Sequence, residues 1–211
     1  DGKFDGVVVF TPDCAEGVVD SLLDNYVGAG VVLEGKSQWK DKLNQKVVAD
    51  DITISFNCKS DELVAREYFT GEGFEADSYN VIENGVLKCF MINQYVANKV
   101  KGVRAKNSGV GMMIKPGTKS IDEIIKNIKR GVLVGRFSGG APGVSGEFSG
   151  VAKNSFIIED GKVGKALSET MISGNLEKMF NSLVAISKET VNGGMSVVPY
   201  LAFDGITISG K

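Results

Sequence analysis

The stretch VIENGVLKCFMI places Asn84-Gly85 between two apolar runs, and few short patterns restrict a chain more. Asn and Gly accept the left-handed backbone of a two-residue turn, while the β-branched residues around them favour extended strands, so the segment is predicted to fold back as a hairpin. SFIIEDGKVGKAL repeats the logic around Asp160-Gly161. DITISF alternates with period two, and Val31 to Met113 reads as antiparallel strands separated by turns. Glycine supplies 27 of the 211 residues against only 4 prolines, without a collagen period, which agrees with many tight turns.

Helices interrupt this pattern at three places. VVVF reads as a buried strand, and Thr11-Pro12 after it is a suitable N-cap and first helical position. Ala15, Val18, Val19, Leu22, Leu23, Tyr26 and Val27 then line one helical face, with Gly28 expected as a left-handed stop. Asp20, Asp24 and Asn25 lie off the stripe. Ser120 to Glu123 is a capping box for a helix IDEIIKNIKR ending at Gly131, with strands resuming at Val132. SGNLEKMFNSLVAIS gives the third helix, with Asn175 as cap and Leu176, Met179, Phe180, Leu183 and Val184 on its buried face. The tail VVPYLAFDGITISGK reads as two strands. No repeat, linker or low-complexity segment divides the chain, so residues 1–211 are expected to form a single α+β domain, mainly antiparallel sheet with about three helices.

The chain has a formal charge of −2 and a pI near 5.4, and it has no basic stripe to neutralise phosphates, which argues against DNA or RNA as a partner. No apolar run approaches a membrane span and the start lacks a leader pattern, so a soluble, cytoplasmic protein is expected. The absence of an initial Met suggests a piece of something longer. Cys14, Cys58 and Cys89 are far apart and without a CxxC spacing, which reads as buried, reduced thiols. There is no histidine. That excludes His-based zinc sites, Ser-His and Cys-His nucleophiles and histidine acid/base catalysis within this chain.

GRFSGGAPGVSGEFSG is open to three readings: a glycine-rich strand connection, a loop shaping a peptide or ligand groove through Gly139, Gly140, Gly146 and Glu147, or a phosphate loop. The last lacks both the Lys-Ser/Thr of a Walker loop and a following helix. Glu72, Glu75 and Asp77 read as solvated turn charges and Trp39 as a packing anchor. No serine or lysine has an activating partner in sequence.

Taken in order, SLLDNYVGAG, LEGKSQWKDKLNQKV, FTGEGFEADSYNVIENGVLKCFMINQYVANK, KPGTKSIDEII, GVLV, VSGEFSGVAKNSFIIEDGKV and TMISGNLEKMF resemble the C-terminal half of the TldD/PmbA family, historically named as modulators of DNA gyrase. The likeness spans nearly the whole chain, and the joint order of IENGVLK, SGEFSG and SGNLEKMF is its most specific part. The family's N-terminal half has no counterpart here. The resemblance implies a cytoplasmic, dimeric peptidase assembly in which a TldD-type subunit holds zinc on an HExxxH helix plus a later cysteine, beside a TldE/PmbA-type subunit without metal. Laid onto DNYVGA, that motif puts Asp24 and Ala29 where the histidines stand and Asn25 where the glutamate base stands. No cysteine follows Cys89, and SGNL fits the TldE branch. Where the family commonly shows two acids before a glycine, TGEG retains only Glu72.

The resemblance therefore implies a chain without catalytic residues or metal of its own, with degenerate positions Asp24, Asn25 and Ala29. It would shape a peptide-binding chamber for a TldD-type zinc partner. A homodimeric non-catalytic peptide-binding or scaffold protein is the alternative. An independent serine or lysine hydrolase lacks any visible activating group.

Overall fold

The computed structural model describes residues 2–140 and 142–210. Along the chain run β1 (Gly2–Phe10), α1 (Pro12–Tyr26), α2 (Ala29–Leu33), β2 (Ile54–Phe56), β3 (Tyr79–Glu83), β4 (Val86–Leu87), α3 (Gln94–Val100) and β5 (Met112–Ile114). After these come α4 (Ile121–Lys126), β6 (Arg130–Gly139), β7 (Glu147–Glu159), β8 (Lys162–Leu167), β9 (Thr170–Asn175), α5 (Leu176–Asn181), β10 (Leu183–Asn192) and β11 (Ser196–Gly210). The class is α+β. The described residues hold five helices rather than about three, and the pairing is mixed: β1 runs parallel to β6, and β11 parallel to β5.

The chain folds as two compact units. The first takes the residues up to Val19, Pro116–Val191 and those from Pro199 onward. Its strands β1, β6, β7, β9 and β11 pair in that order and β11 returns to β1, closing a five-stranded barrel. Closure leaves these strands without an open edge, and it explains why β1 is apolar at every position from Val7 to Phe10. Helix α4 lays Ile124 and Ile125 against Val9, Ile128, Ile158 and Ala202. Phe203 on β11 packs on Phe10 at 6.1 Å and on Phe180 of α5 at 4.9 Å between ring centroids.

The second unit comprises Asp20–Lys115 and Asn192–Val198. Here β5 pairs with Ser196 and Val197 on one side and with β2 on the other, β2 pairs with β3, and β3 with β4. The Asn84-Gly85 turn joins β3 to β4 with φ of 47° and 78°, both left-handed as the pair requires. Helix α3 sets Ile92, Val96 and Ala97 against Ala29 and Val32 of α2. Trp39 is fully buried, the packing anchor its sequence context indicates.

Several local expectations need correction. Gly28 is extended, with φ −64° and ψ 153°, and caps α2 instead of stopping α1 in a left-handed turn. A Cβ there would lie 2.9 Å from the Asp24 carbonyl oxygen, so close approach, not handedness, requires the glycine. Helix α4 stops at Lys126, and Gly131 lies inside β6 opposite Val7. Leu183 and Val184 belong to β10, not to α5, and Val184 is 47% exposed. The tail is assigned as one strand, β11, which takes a left-handed step at Gly205. Between Val31 and Met113 the strands are short, and α3 occupies a stretch read as extended. Its cap, Asn93, accepts a hydrogen bond from the Val96 N–H. Cys14 and Cys58 are buried thiols, whereas Cys89 is half-buried. No helix among the described residues is long and apolar enough to cross a membrane.

Candidate functional site

Within the second unit, the last turn of α1 carries Asp24 and Asn25, and α2 begins at Ala29. Asp24 is exposed and Asn25 half-buried. The Asn25 amide nitrogen is buried without a hydrogen-bond partner among the described residues. Ala29 lines a cavity of about 320 Å³, together with Glu72, Tyr79, Asn93, Arg104 and Asn107. Asp24 and Asn25 are not among its lining residues. The six-residue segment therefore does not gather its three motif positions around one space.

The wall of this cavity is held by polar groups with defined partners. Asn107, buried, donates from its amide to the Phe56 and Asp77 carbonyls at 3.3 and 3.0 Å and accepts from the Gly109 and Val110 N–H groups. Glu67 accepts from the Ser108 N–H at 2.8 Å and from its hydroxyl. The exposed Glu72 takes the Gln94 N–H at 2.9 Å, so its carboxylate closes the start of α3. Arg104 donates to the Ala105 carbonyl at 3.0 Å and lies over the Phe74 ring at 4.0 Å. Tyr79 differs from these. Its ring stacks on Phe56, and its hydroxyl is buried with no partner among the described residues. Burial pushes the phenol pKa well up, with smaller contributions from Cys89, Glu67 and Cys58, so it stays protonated.

The residues of the TGEG turn and its surroundings pair on the surface. Glu75 meets Lys59 at 3.3 Å and Asp77 meets Lys106 at 3.4 Å. They form no carboxylate pair of the kind acid/base work requires.

In the first unit, the glycine-rich segment connects β6 to β7, as its strand-connection reading implies. Gly139 pairs with Gly150, Gly140 is exposed, and Gly146 turns with φ 81° while its carbonyl accepts from the Leu176 N–H at 2.9 Å. Of the four proposed groove residues, Glu147 lines a cavity of about 180 Å³, shared with Ser173, Asn175, Lys178, Asp204 and Thr207. Asn175 holds the Glu147 carboxylate at 3.1 Å and the Ser145 carbonyl at 2.7 Å, so it fixes both ends of the turn while capping α5.

Sequence reasoning missed Tyr79, Asn93 and Arg104. No spacing in the sequence links the three, and only the fold brings them to one cavity.

The sequence model described as the PmbA/TldA metallopeptidase C-terminal domain matches residues 4–210. The metalloprotease PmbA of Escherichia coli O157:H7 is 25% identical over 186 residues, covering 86% of this chain and 41% of that protein. A Bacteroides thetaiotaomicron protein described as a candidate modulator of DNA gyrase has a crystal structure that superposes with a TM-score of 0.91 at 26% identity, over 100% of this chain and 48% of that one. TldE from Thermococcus kodakarensis superposes with a TM-score of 0.84 at 24% identity, over 100% of this chain and 51% of that one, a likeness of fold. The chain spans about half the length, or less, of the relatives it matches.

A metallopeptidase relationship raises the question of whether these residues suit zinc, and they do not. Zinc needs three protein donors of imidazole, thiolate or carboxylate type. At the motif positions stand one exposed carboxylate, one carboxamide and one methyl group, and among the described residues no three His, Cys, Asp or Glu side chains come together.

Proposed function

Since the chain belongs to the family of PmbA/TldA metallopeptidase C-terminal domains, we propose that it is the metal-free, TldE/PmbA-like subunit of a TldD/TldE-type zinc peptidase. In this reading residues 1–211 are the C-terminal domain of that subunit. It works in the cytoplasm and dimerises with a TldD-type partner that holds the zinc. The chain shapes the chamber in which an unfolded peptide is cleaved.

One observation carries the reading: the chemistry at Asp24, Asn25 and Ala29. A water-activating zinc site needs a base able to take a proton, and a carboxamide has no such capacity near neutral pH. Ala29 offers no donor atom, and the exposed Asp24 is one ligand at most. Peptide is held by strand addition, in which main-chain pairing gives affinity across many sequences. Gly139, Gly140, Gly146 and Glu147 border that peptide, and Glu147 contributes through the cavity it lines.

The test is co-expression with a TldD-type partner, followed by metal analysis and cleavage of an unfolded peptide by the complex and by each part. Cleavage and zinc in the complex, with neither in this chain alone, is the expected result. Full-rate cleavage by the isolated chain in the presence of chelator overturns it. A homodimer that ignores the partner and binds peptide without cleaving it turns the assignment to a scaffold.

A further inference from the structure

We infer that an exposed apolar face of the second unit, formed by residues 61–77 and by α3 with the segment after it, pairs with the same face of a second copy of this chain when no other subunit is present. The peptidase reading names a partner but no surface, and this inference goes beyond it. All four aromatic side chains that are exposed among the described residues, Tyr68, Phe69, Phe74 and Tyr95, lie here. Phe69 is 69% exposed, Tyr95 58% and Val103 82%. Rings left this far in water contribute little to the fold, and exposed apolar patches with a polar rim mark protein contacts, where aromatic residues are enriched.

Direct contacts join these residues into one surface. Phe69 bridges to Glu75, and the Phe74 carbonyl accepts from the Thr70 N–H at 2.8 Å, so both rings stand on one tight turn. The Arg104 guanidinium, next in the chain to Val103, lies over the Phe74 ring at 4.0 Å. In the same turn Glu72 accepts from the Gln94 N–H at 2.9 Å, beside Tyr95, and Lys99 lies over the Tyr95 ring at 5.7 Å.

The charges on either side indicate what covers this face. Residues 61–77 carry 6 acids, Asp61, Glu62, Glu67, Glu72, Glu75 and Asp77, against Arg66 alone. Residues 95–106 carry 4 bases, Lys99, Lys101, Arg104 and Lys106, and no acid. An apolar centre between an acidic and a basic flank is its own complement. Turned about a two-fold axis, the acidic flank of one copy meets the basic flank of the other, and the contact is made twice. A partner of one charge sign would be repelled by one flank.

Sedimentation equilibrium of the full chain, at up to about 100 μM, tests the pairing. A monomer–dimer equilibrium is expected. Phe69→Lys should weaken it at least about tenfold without lowering the melting temperature, since the position is exposed. Two double variants at exposed positions test the flanks: Glu62→Lys with Glu75→Lys, and Lys99→Glu with Lys101→Glu. Each alone should be monomeric because like charges then meet, and an equimolar mixture should dimerise because both contacts are again between opposite charges. A wild-type chain that stays monomeric throughout this range overturns the inference. So does a dimer that Phe69→Lys leaves intact, or a mixture no more associated than its folded components. A monomeric chain that binds a TldD-type partner through Phe69 also overturns self-pairing, and it leaves the peptidase reading standing. Self-association is read without substrate or cleavage, so failure here is separate from failure of that reading.

Discussion

The indole of Trp39 stacks on the ring of Tyr26, with centroids 4.4 Å apart and planes 20° from parallel. Both side chains are fully buried. The Ser37 hydroxyl ties the pair together, donating to the Tyr26 carbonyl at 2.5 Å and accepting from the Trp39 N–H at 3.1 Å. The end of α1, with Asp24 and Asn25, is thus anchored by a residue thirteen positions after Tyr26.

Trp39→Ala should destabilise the chain by roughly 3–5 kcal/mol, the range for emptying a large aromatic site, whereas Trp39→Phe keeps a stacking partner and should cost clearly less. Urea unfolding measures both. The wild-type protein supplies an internal check, because its single tryptophan should emit in the blue and resist acrylamide quenching until the unfolding transition.

Two glycines with similar φ separate backbone strain from crowding. Gly85 has φ 78°, and a Cβ would meet the Val48 and Ala49 carbonyl oxygens at 2.6 and 2.8 Å. Gly73 has φ 83° with nothing within 4 Å. Gly73→Ala should cost about 1 kcal/mol from conformation alone, and Gly85→Ala about 2 kcal/mol or more, because the β3–β4 turn must also move. Equal losses in chemical denaturation would show that crowding contributes nothing.

This contrast marks how far the sequence can be read. The turns at Asn84-Gly85 and Asp160-Gly161, the caps at Ser120 and Asn175 and the stripe of α1 rest on adjacent residues whose local preferences agree with the fold. Where local preference and packing diverge, tertiary contacts prevail. FMINQYVANK lies in a stretch read as strands and turns, yet Asn93 caps its second half into α3, and Gly28 is required by one carbonyl oxygen. The cavity is not legible in the sequence, because Ala29, Tyr79 and Arg104 lie up to 75 positions apart and carry no shared pattern.

The Ser120 cap gives a pH-dependent test in the first unit. Ser120 accepts from the Glu123 N–H, and its own N–H and hydroxyl donate to the Glu123 carboxylate at 2.6 and 2.9 Å. These bonds, the backbone one first, hold the Glu123 pKa below the usual glutamate range. A depressed carboxylate favours the folded state above its unfolded pKa, near 4.3 in model peptides, and that contribution fades as pH falls through the folded value. Separately, Ser120→Ala removes the side-chain N-cap of α4 and should cost about 1 kcal/mol. Glu123→Gln should weaken the fold at pH 7 and lose its effect only in acid below the depressed folded pKa. Denaturation midpoints at the two pH values decide it.

Thiol reactivity should report burial directly. Desolvation pushes the Cys14 thiol up to about 11, against a smaller lowering by the Phe137 backbone. Burial is also the leading cause of the raised values at Cys58 and Cys89. The thiolate is the reactive species, so at pH 8 only about a thousandth of Cys14 is competent even where reagent can reach it. Native protein should resist iodoacetamide at Cys14 over the time in which free cysteine reacts fully, and all 3 cysteines should alkylate in denaturant. Rapid native labelling of Cys14, located by peptide mass, would show that α1 opens.

The resemblance to the TldD/PmbA family lays Asp24 and Asn25 onto a ligand and a base, a placement that substitution there would test by separating inheritance of position from inheritance of chemistry. Asp24 is solvent-facing, and the buried Asn25 amide nitrogen has no partner to lose among the described residues. Asp24→Ala and Asn25→Ala should each change stability by less than about 1 kcal/mol, since neither removes a buried side-chain hydrogen bond among the described residues. In a complex with a TldD-type partner, each variant should retain peptide cleavage within about twofold, a change worth well under 1 kcal/mol of barrier. A loss of a hundredfold or more in kcat with unchanged complex formation would mean that this helix end takes part in the reaction. Neutral substitution leaves it as the anchored end of α1, with no part in the reaction.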